Sequence, residues 1–220
     1  MSIKLLTQLV PFSSNTQLVI NKIAEILIYE LENQQKMAAL IGNDADDYNI
    51  RVYTDRSDPL DQFKDDKTAL VNVELADNIV DLKATAIYGR QHESVTINLY
   101  IYALGQARET TTGHIPADYD ASQKVKKVRN VINRILRADI NSNLQLNRHI
   151  VNSVIIDSAQ YLTPDFNNRE YGSIVAMRIA LRCNVIEEPL INFGVKLESI
   201  VIDIEKDTTG RVYTTLEYTT

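Results

Sequence analysis

SVTINLYIYAL, residues 94–104, sets Val95, Ile97, Leu99, Ile101 and Ala103 on alternate positions, with Thr96, Asn98, Tyr100 and Tyr102 between them. A period of two over so long a run predicts a strand whose successive side chains point to opposite sides of a sheet. One side is wholly apolar and has to be covered. The other is amphipathic rather than charged, and is expected to meet a helix, a loop or a neighbouring subunit.

Upstream of this strand, ALVNVEL at 69–75 reads as a second strand and residues 79–88 continue in kind, with a turn over 89–93. A helix is predicted over 15–40. Ser14 with Gln17 three positions on fits a capping box, and Ile20, Ile23, Ala24, Leu27, Ile28 and Leu31 make one apolar stripe. Gly42 supplies its C-terminal stop. The polar stretch 43–66 reads as a long loop carrying a short strand near 50–53.

Downstream, a polar loop over 105–119 leads to a second helix, 121–138, with Asp120 as its cap and Val125, Val128, Val131, Ile132, Ile135 and Leu136 as its buried stripe. Strands follow over 150–157 and 173–185, separated by a loop at 161–171. In the later strand Val175, Met177, Ile179, Leu181, Cys183 and Val185 share one face and Arg178 and Arg182 stand on the other. Residues 194–205 and 211–218 flank an Asp-Thr-Thr-Gly turn and read as a hairpin. The expected fold class is α+β: a mixed or antiparallel sheet packed against two main helices, as one domain over 1–190, with a C-terminal β-hairpin extension over 191–220.

The 220 residues carry a net charge of −6, unevenly spread. Asp44, Asp46, Asp47, Asp55, Asp58, Asp61, Asp65 and Asp66 outweigh Arg51, Arg56, Lys64 and Lys67 by four charges. Lys124, Lys126, Lys127, Arg129, Arg134 and Arg137 outweigh Asp120 and Asp139 by the same margin. The acidic whole argues against tight sequence-independent nucleic-acid binding. Opposite blocks in one chain suit head-to-tail contact between subunits, or two solvated faces.

Composition narrows the chemistry further. A single cysteine, Cys183, excludes an internal disulfide and a multi-cysteine zinc site. No leader is expected from residues 1–10, which carry only Lys4 and run into Pro11, and no apolar run reaches the ~20 residues of a membrane span. His92, His114 and His149 have no ligand-spaced partners. Asp44-Ala-Asp46-Asp47-Tyr48 opens like a calcium loop but lacks its later ligands and its glycine. With seven scattered glycines there is no phosphate cradle, and no Gly-x-Ser-x-Gly elbow occurs. The nearest approach to an enzyme is Asp81-Leu82-Lys83 with Glu74 and Asp58 upstream, an echo of the acid-x-lysine arrangement of metal-dependent nucleases, and Asp65-Asp66-Lys67 repeats it. No catalytic, cofactor-binding or metal-binding residues and no cofactor are expected.

The order of elements, together with SVTINLYIYALGQA at 94–107, YDASQKVKKVRNVINRIL at 119–136 and GSIVAMRIALRCNVIEEP at 172–189, resembles the tail terminator (tail completion) proteins of long-tailed bacteriophages. The resemblance covers about residues 15–189. It implies a virion structural protein, assembled in the host cytoplasm, whose copies form a hexameric ring on the head-proximal end of the tail tube. Such a ring stops tube polymerisation and joins tail to neck and head. The implied partners are further copies of the chain, the tail tube protein, a tail sheath protein where one exists, and neck or head-completion proteins. DNA would pass transiently through the channel, and no membrane is involved. On this view the aspartates of 44–66 are expected to line the channel, where like charge lets DNA slide, and the basic helix is expected at the subunit contact. The hairpin would pair with a neighbouring chain or cap its own sheet edge. Another phage connector, neck or baseplate subunit is the alternative, and a metal-dependent nuclease a more distant one.

Overall fold

The computed structural model describes residues 10, 13–64, 66–81, 90–111, 113–162, 173–188, 199–206 and 212–219, the last two segments by their backbone. The chain divides into a body, residues 12–189, and a second unit of residues 1–11 and 190–220.

The body is built on a five-stranded sheet. Its strands are β1 (Ile50–Thr54), β2 (Ala69–Val80), β3 (Gln91–Gly105), β6 (Val151–Leu162) and β7 (Ser173–Glu187), in spatial order β1-β2-β3-β7-β6. A separate pair, β4 (Arg108–Thr110) and β5 (Gly113–Ile115), is a small hairpin. β1 runs parallel to β2 and every other neighbour is antiparallel, so the sheet is mixed and the class is α+β. In the second unit β8 (Ser199–Lys206) and β9 (Val212–Thr219) pair antiparallel.

β3 runs through the middle, and the alternation in its sequence is realised in full. Val95, Ile97, Leu99, Ile101 and Ala103 are all 0% exposed. The matching residues of β7, Met177 through Val185, lie beside them, and both helices cover this one side. The other side of the sheet, the back face, carries Thr96, Asn98, Tyr100 and Tyr102. Part of it is covered by the short turn Pro59–Lys64, whose Phe63 packs with Leu70 and Leu104 against Tyr53, Tyr102 and Ile174. Asn72, fully buried on this face, bonds both the N–H and the carbonyl of Arg56 and so fixes the chain between β1 and that turn.

Helix α1 (Asn15–Leu40) starts where Ser14 accepts from the Gln17 N–H at 3.1 Å. The reciprocal half of the expected capping box is missing. Gln17 turns to Asn21 instead, and the Thr16 N–H is taken at 2.9 Å by Glu187 from the end of β7. The far end closes with Gly42 at φ +74 and with bonds from Asn43 N to Ala38 O and from Gly42 N to Ala39 O. That pair of bonds satisfies the last carbonyls of the helix and needs the left-handed conformation glycine adopts without steric cost. Ile28, expected in the buried stripe, is 47% exposed, whereas Val19 and Ile26 are buried.

Helix α2 (Ala117–Leu136) begins four residues earlier than expected, after Pro116. Asp120 is therefore no cap. It lies inside the first turn of a helix whose extended N-cap residue is Pro116. The expected loops also shrink. Residues 108–115 hold the β4–β5 hairpin, residues 43–66 hold two short 3-10 turns, and the expected turn at 89–93 gives way to β3 from Gln91. β2 is one strand to Val80, with an irregularity between Leu75 and Asp77, and β6 runs to Leu162, so positions 76–78 and 161–162 are strand. Residues 82–89, 163–171 and Pro189 lie outside the described residues.

Gly105, the last residue of β3, sits directly under the first turn of α2. A Cβ there would lie 1.7 Å from the Ala117 carbonyl oxygen and 2.7 Å from the Ala121 nitrogen. Both are backbone atoms of the helix and cannot swing aside. Gly105→Ala is expected to lower stability by about 3 kcal/mol, the upper part of the usual overpacking range. Urea unfolding checks this: a midpoint shift corresponding to less than ~0.5 kcal/mol would rule out the close approach.

Candidate functional site

Members of both charged blocks singled out in the sequence meet in one cleft of about 570 Å³. Asp44, Asp46 and Asp47 come to it from the Ala45–Tyr48 turn, Asp66 and Lys67 from the chain before β2, and Arg108 from β4. Asp120, Lys124 and Lys127 face them from α2. The 3.6-residue repeat puts Asp120, Lys124 and Lys127 on adjoining turns of one helix flank.

Asp120 organises the cleft. It is 7% exposed, accepts from the Gln106 N–H at 3.1 Å and the Lys124 ammonium at 2.9 Å, and lies 3.5 Å from Arg108. Burial works to raise its carboxyl. The Lys124 and Gln106 hydrogen bonds and the nearby Arg108 outweigh it and hold the group below the usual aspartate range. Lys124 also reaches the Leu104 carbonyl at 3.1 Å, so one lysine ties the helix to the end of β3. Across the cleft Lys127 meets Asp47 at 2.8 Å. Asp66 accepts from Thr68, which lowers its carboxyl, and pairs with Arg51 at 3.4 Å.

The acidic segment is thus not one surface. Asp44, Asp46, Asp47 and Asp66 belong to the cleft. Asp55, Asp58 and Asp61 go with the Pro59–Lys64 turn on the back face, and Asp65 lies outside the described residues. The basic helix is divided as well. Lys124 and Lys127 face the cleft and Arg129 is half-buried, with its Nε unbonded among the described residues. Lys126, Arg134 and Arg137 stand exposed on the outer side. The opposite blocks meet first within a single chain, through Asp47 and Lys127.

Arg108 and Asn72 organise these surfaces, and the sequence did not single them out. Arg108 sat in an apparently featureless polar loop. Asn72 occupied a polar position of an alternating strand, where only burial distinguishes an anchor from a solvated side chain.

Of the nuclease-like arrangement, Glu74 and Asp81 lie seven residues apart on and just past one extended strand, about 23 Å at ~3.3 Å per residue, too far to share an ion, and Lys83 lies outside the described residues. Desolvation, then the neighbouring Asp55 charge, raises the Glu74 carboxyl. Among the described residues no group of three or more His, Cys, Asp or Glu side chains could hold a metal ion. Cys183 is fully buried and its thiol is pushed up to about 12 by desolvation, so it stays protonated. His114 pairs with Glu109 across the β4–β5 hairpin at 2.7 Å. No helix among the described residues is long and apolar enough to cross a membrane. No protein-family model matches the chain, and no curated protein does.

Because the folded Asp120 carboxyl titrates below its unfolded value, its contribution is present above the ordinary aspartate pKa and lost as pH falls through the folded one. Asp120→Asn is expected to cost about 1.5–3 kcal/mol at neutral pH, the range for hydrogen bonds to a charged group. The gap between variant and parent should close below about pH 4. Denaturant midpoints across pH 2.5–8 (assay range, ~0.5-unit steps) test this, and a gap independent of pH would contradict the role given to the carboxylate.

Proposed function

We propose that the chain is a virion structural subunit of the tail-terminator type, whose copies form a ring, hexameric by resemblance, that caps the head-proximal end of a phage tail tube. The reading rests first on the resemblance in element order and in the three quoted segments. The structural observation that supports it is the outer side of α2, where Lys126, Arg134 and Arg137 are exposed and form no ion pair among the described residues, on a chain of net charge −6. A basic face on an acidic subunit attracts further copies through a patch that does not match itself. Contacts between dissimilar patches propagate head to tail and close into a ring when the rotation from copy to copy closes.

In this reading α2 faces the neighbouring subunit. The ring's ends meet the tail tube protein on one side and neck or head-completion proteins on the other, with a sheath protein at the rim where one is present. Asp44 and Asp46, which the cleft leaves outside its ion pairs, supply negative charge for a channel through which DNA slides. The expected outcome is a closed ring in negative-stain images and native mass spectra of the purified protein, alone or with tail tubes, seated at tube ends. Binding at a baseplate or a portal-proximal neck, and not at tube ends, would assign the chain to another connector. Metal-dependent DNA cleavage by a solitary chain would overturn the reading.

A further inference from the structure

Resting on the ring reading, and naming the contact that would build it, we propose that the outer side of α2 in one copy docks on the acidic turn between β1 and β2 of the next. The two surfaces belong to opposite layers of the body. α2 packs on the apolar side of β3 and β7, so Lys126, Arg134 and Arg137 look away from the sheet in that direction. Asp55 and Asp58 lie at the ends of the connection that Asn72 clamps to the back face, next to the Pro59–Lys64 turn. Both aspartates are exposed, and neither forms an ion pair among the described residues. Arg56, the cation between them, stacks 4.6 Å over the Tyr53 ring, and the two aspartates outnumber it.

Other members of the two blocks are already matched within the chain. Asp47 is held by Lys127, Asp66 by Arg51, and Asp120 by Lys124. Apart from Asp44 and Asp46 in the cleft, the acidic turn and the outer side of α2 carry the exposed, unpaired charge of those blocks among the described residues. A second copy of this chain presents the complement of each.

The basic side has an apolar element to bury as well. Ile140, just past the helix, is 68% exposed and shares a groove of about 260 Å³ with Arg134, Val131 and α1 residues Glu30 and Gln34. On the acidic side Pro59 and Leu60 are half-buried. Charges at such a contact steer encounter and fix orientation, and the apolar centre holds it. Because the two patches face nearly opposite ways, the contact joins dissimilar surfaces, leaving each copy one free patch of each kind until the ring closes.

Charge reversal tests the pairing. Arg134→Glu with Arg137→Glu makes the helix side acidic. Asp58→Lys with Asp55→Asn makes the turn basic, asparagine being chosen because Asp55 has a positive φ of 48. Each variant alone brings like charges together and is expected to remain monomeric at tenfold the concentration at which the parent assembles, with unchanged circular dichroism. Mixed in equal amounts, the two are expected to regain assembly, since every contact then joins opposite charges. The same rescue is expected when all four changes are placed in one chain. Parent rings that persist in either variant, or a mixture that stays monomeric, would overturn the pairing and leave the ring reading standing. A parent chain that stays monomeric with and without tail tubes would overturn both.

Discussion

Five side chains on one strand must be kept from water together, and the rest of the body is arranged around that requirement. Val95, Ile97, Leu99, Ile101 and Ala103 lie in a row along β3, all fully buried, and the row is continued by β7. Each valine- to leucine-sized side chain is worth about 1.5–3 kcal/mol when buried. An exposed ion pair such as Lys36 with Glu32 is worth about 0–1 kcal/mol. The apolar row therefore decides where the helices go, and both go to the same side. Surface charge is left with little part in holding the fold.

That one-sidedness explains which features were legible in the sequence. The period of two in β3 and the 3.6 period of α1 each report a single buried face, and both elements stand where their patterns place them. Ser14 and Gly42 mark the ends of α1 because capping and left-handed turns depend on the residue itself. Where a neighbour supplies the deciding partner, sequence runs out. Glu187 takes the Thr16 N–H from 171 positions away, and the Gln17 amide donates to Asn21. Asp120 has the chemistry of a cap, but Gln106, Lys124 and Arg108 claim its carboxylate inside the helix. Polarity likewise concealed the β4–β5 hairpin, since two three-residue strands with exposed side chains leave no alternation to read.

The candidate surfaces were half legible for a related reason. Sequence marked one acidic and one basic block but could not tell which members of each would meet. The segment 44–66 crosses β1, and a strand carries its two ends to different places. The result is an acidic patch split between the cleft and the back face. On α2 the helical repeat does the dividing, turning Lys124 and Lys127 inward to partners and leaving Lys126, Arg134 and Arg137 outside.

A body with helices on one side of its sheet and a short acidic turn on the other has no reason to be self-complementary. A two-fold contact through the outer side of α2 would bring Lys126, Arg134 and Arg137 against their own copies, and one through the back-face turn would do the same to Asp55 and Asp58. Like charges placed opposite one another at a contact disfavour it. Contact between unlike layers avoids both penalties, and it also leaves the cleft's internal ion pairs undisturbed. The amphipathic part of the back face, where Tyr100 and Tyr102 stack at 6.4 Å between the strands that carry Arg178 and Glu74, lies apart from the outer side of α2. Desolvation raises the Tyr102 hydroxyl to about 12 and Glu74 above its ordinary value, so the chain itself holds both groups in a partly dry setting, and the charge on this side of the sheet is left to the turn at its edge.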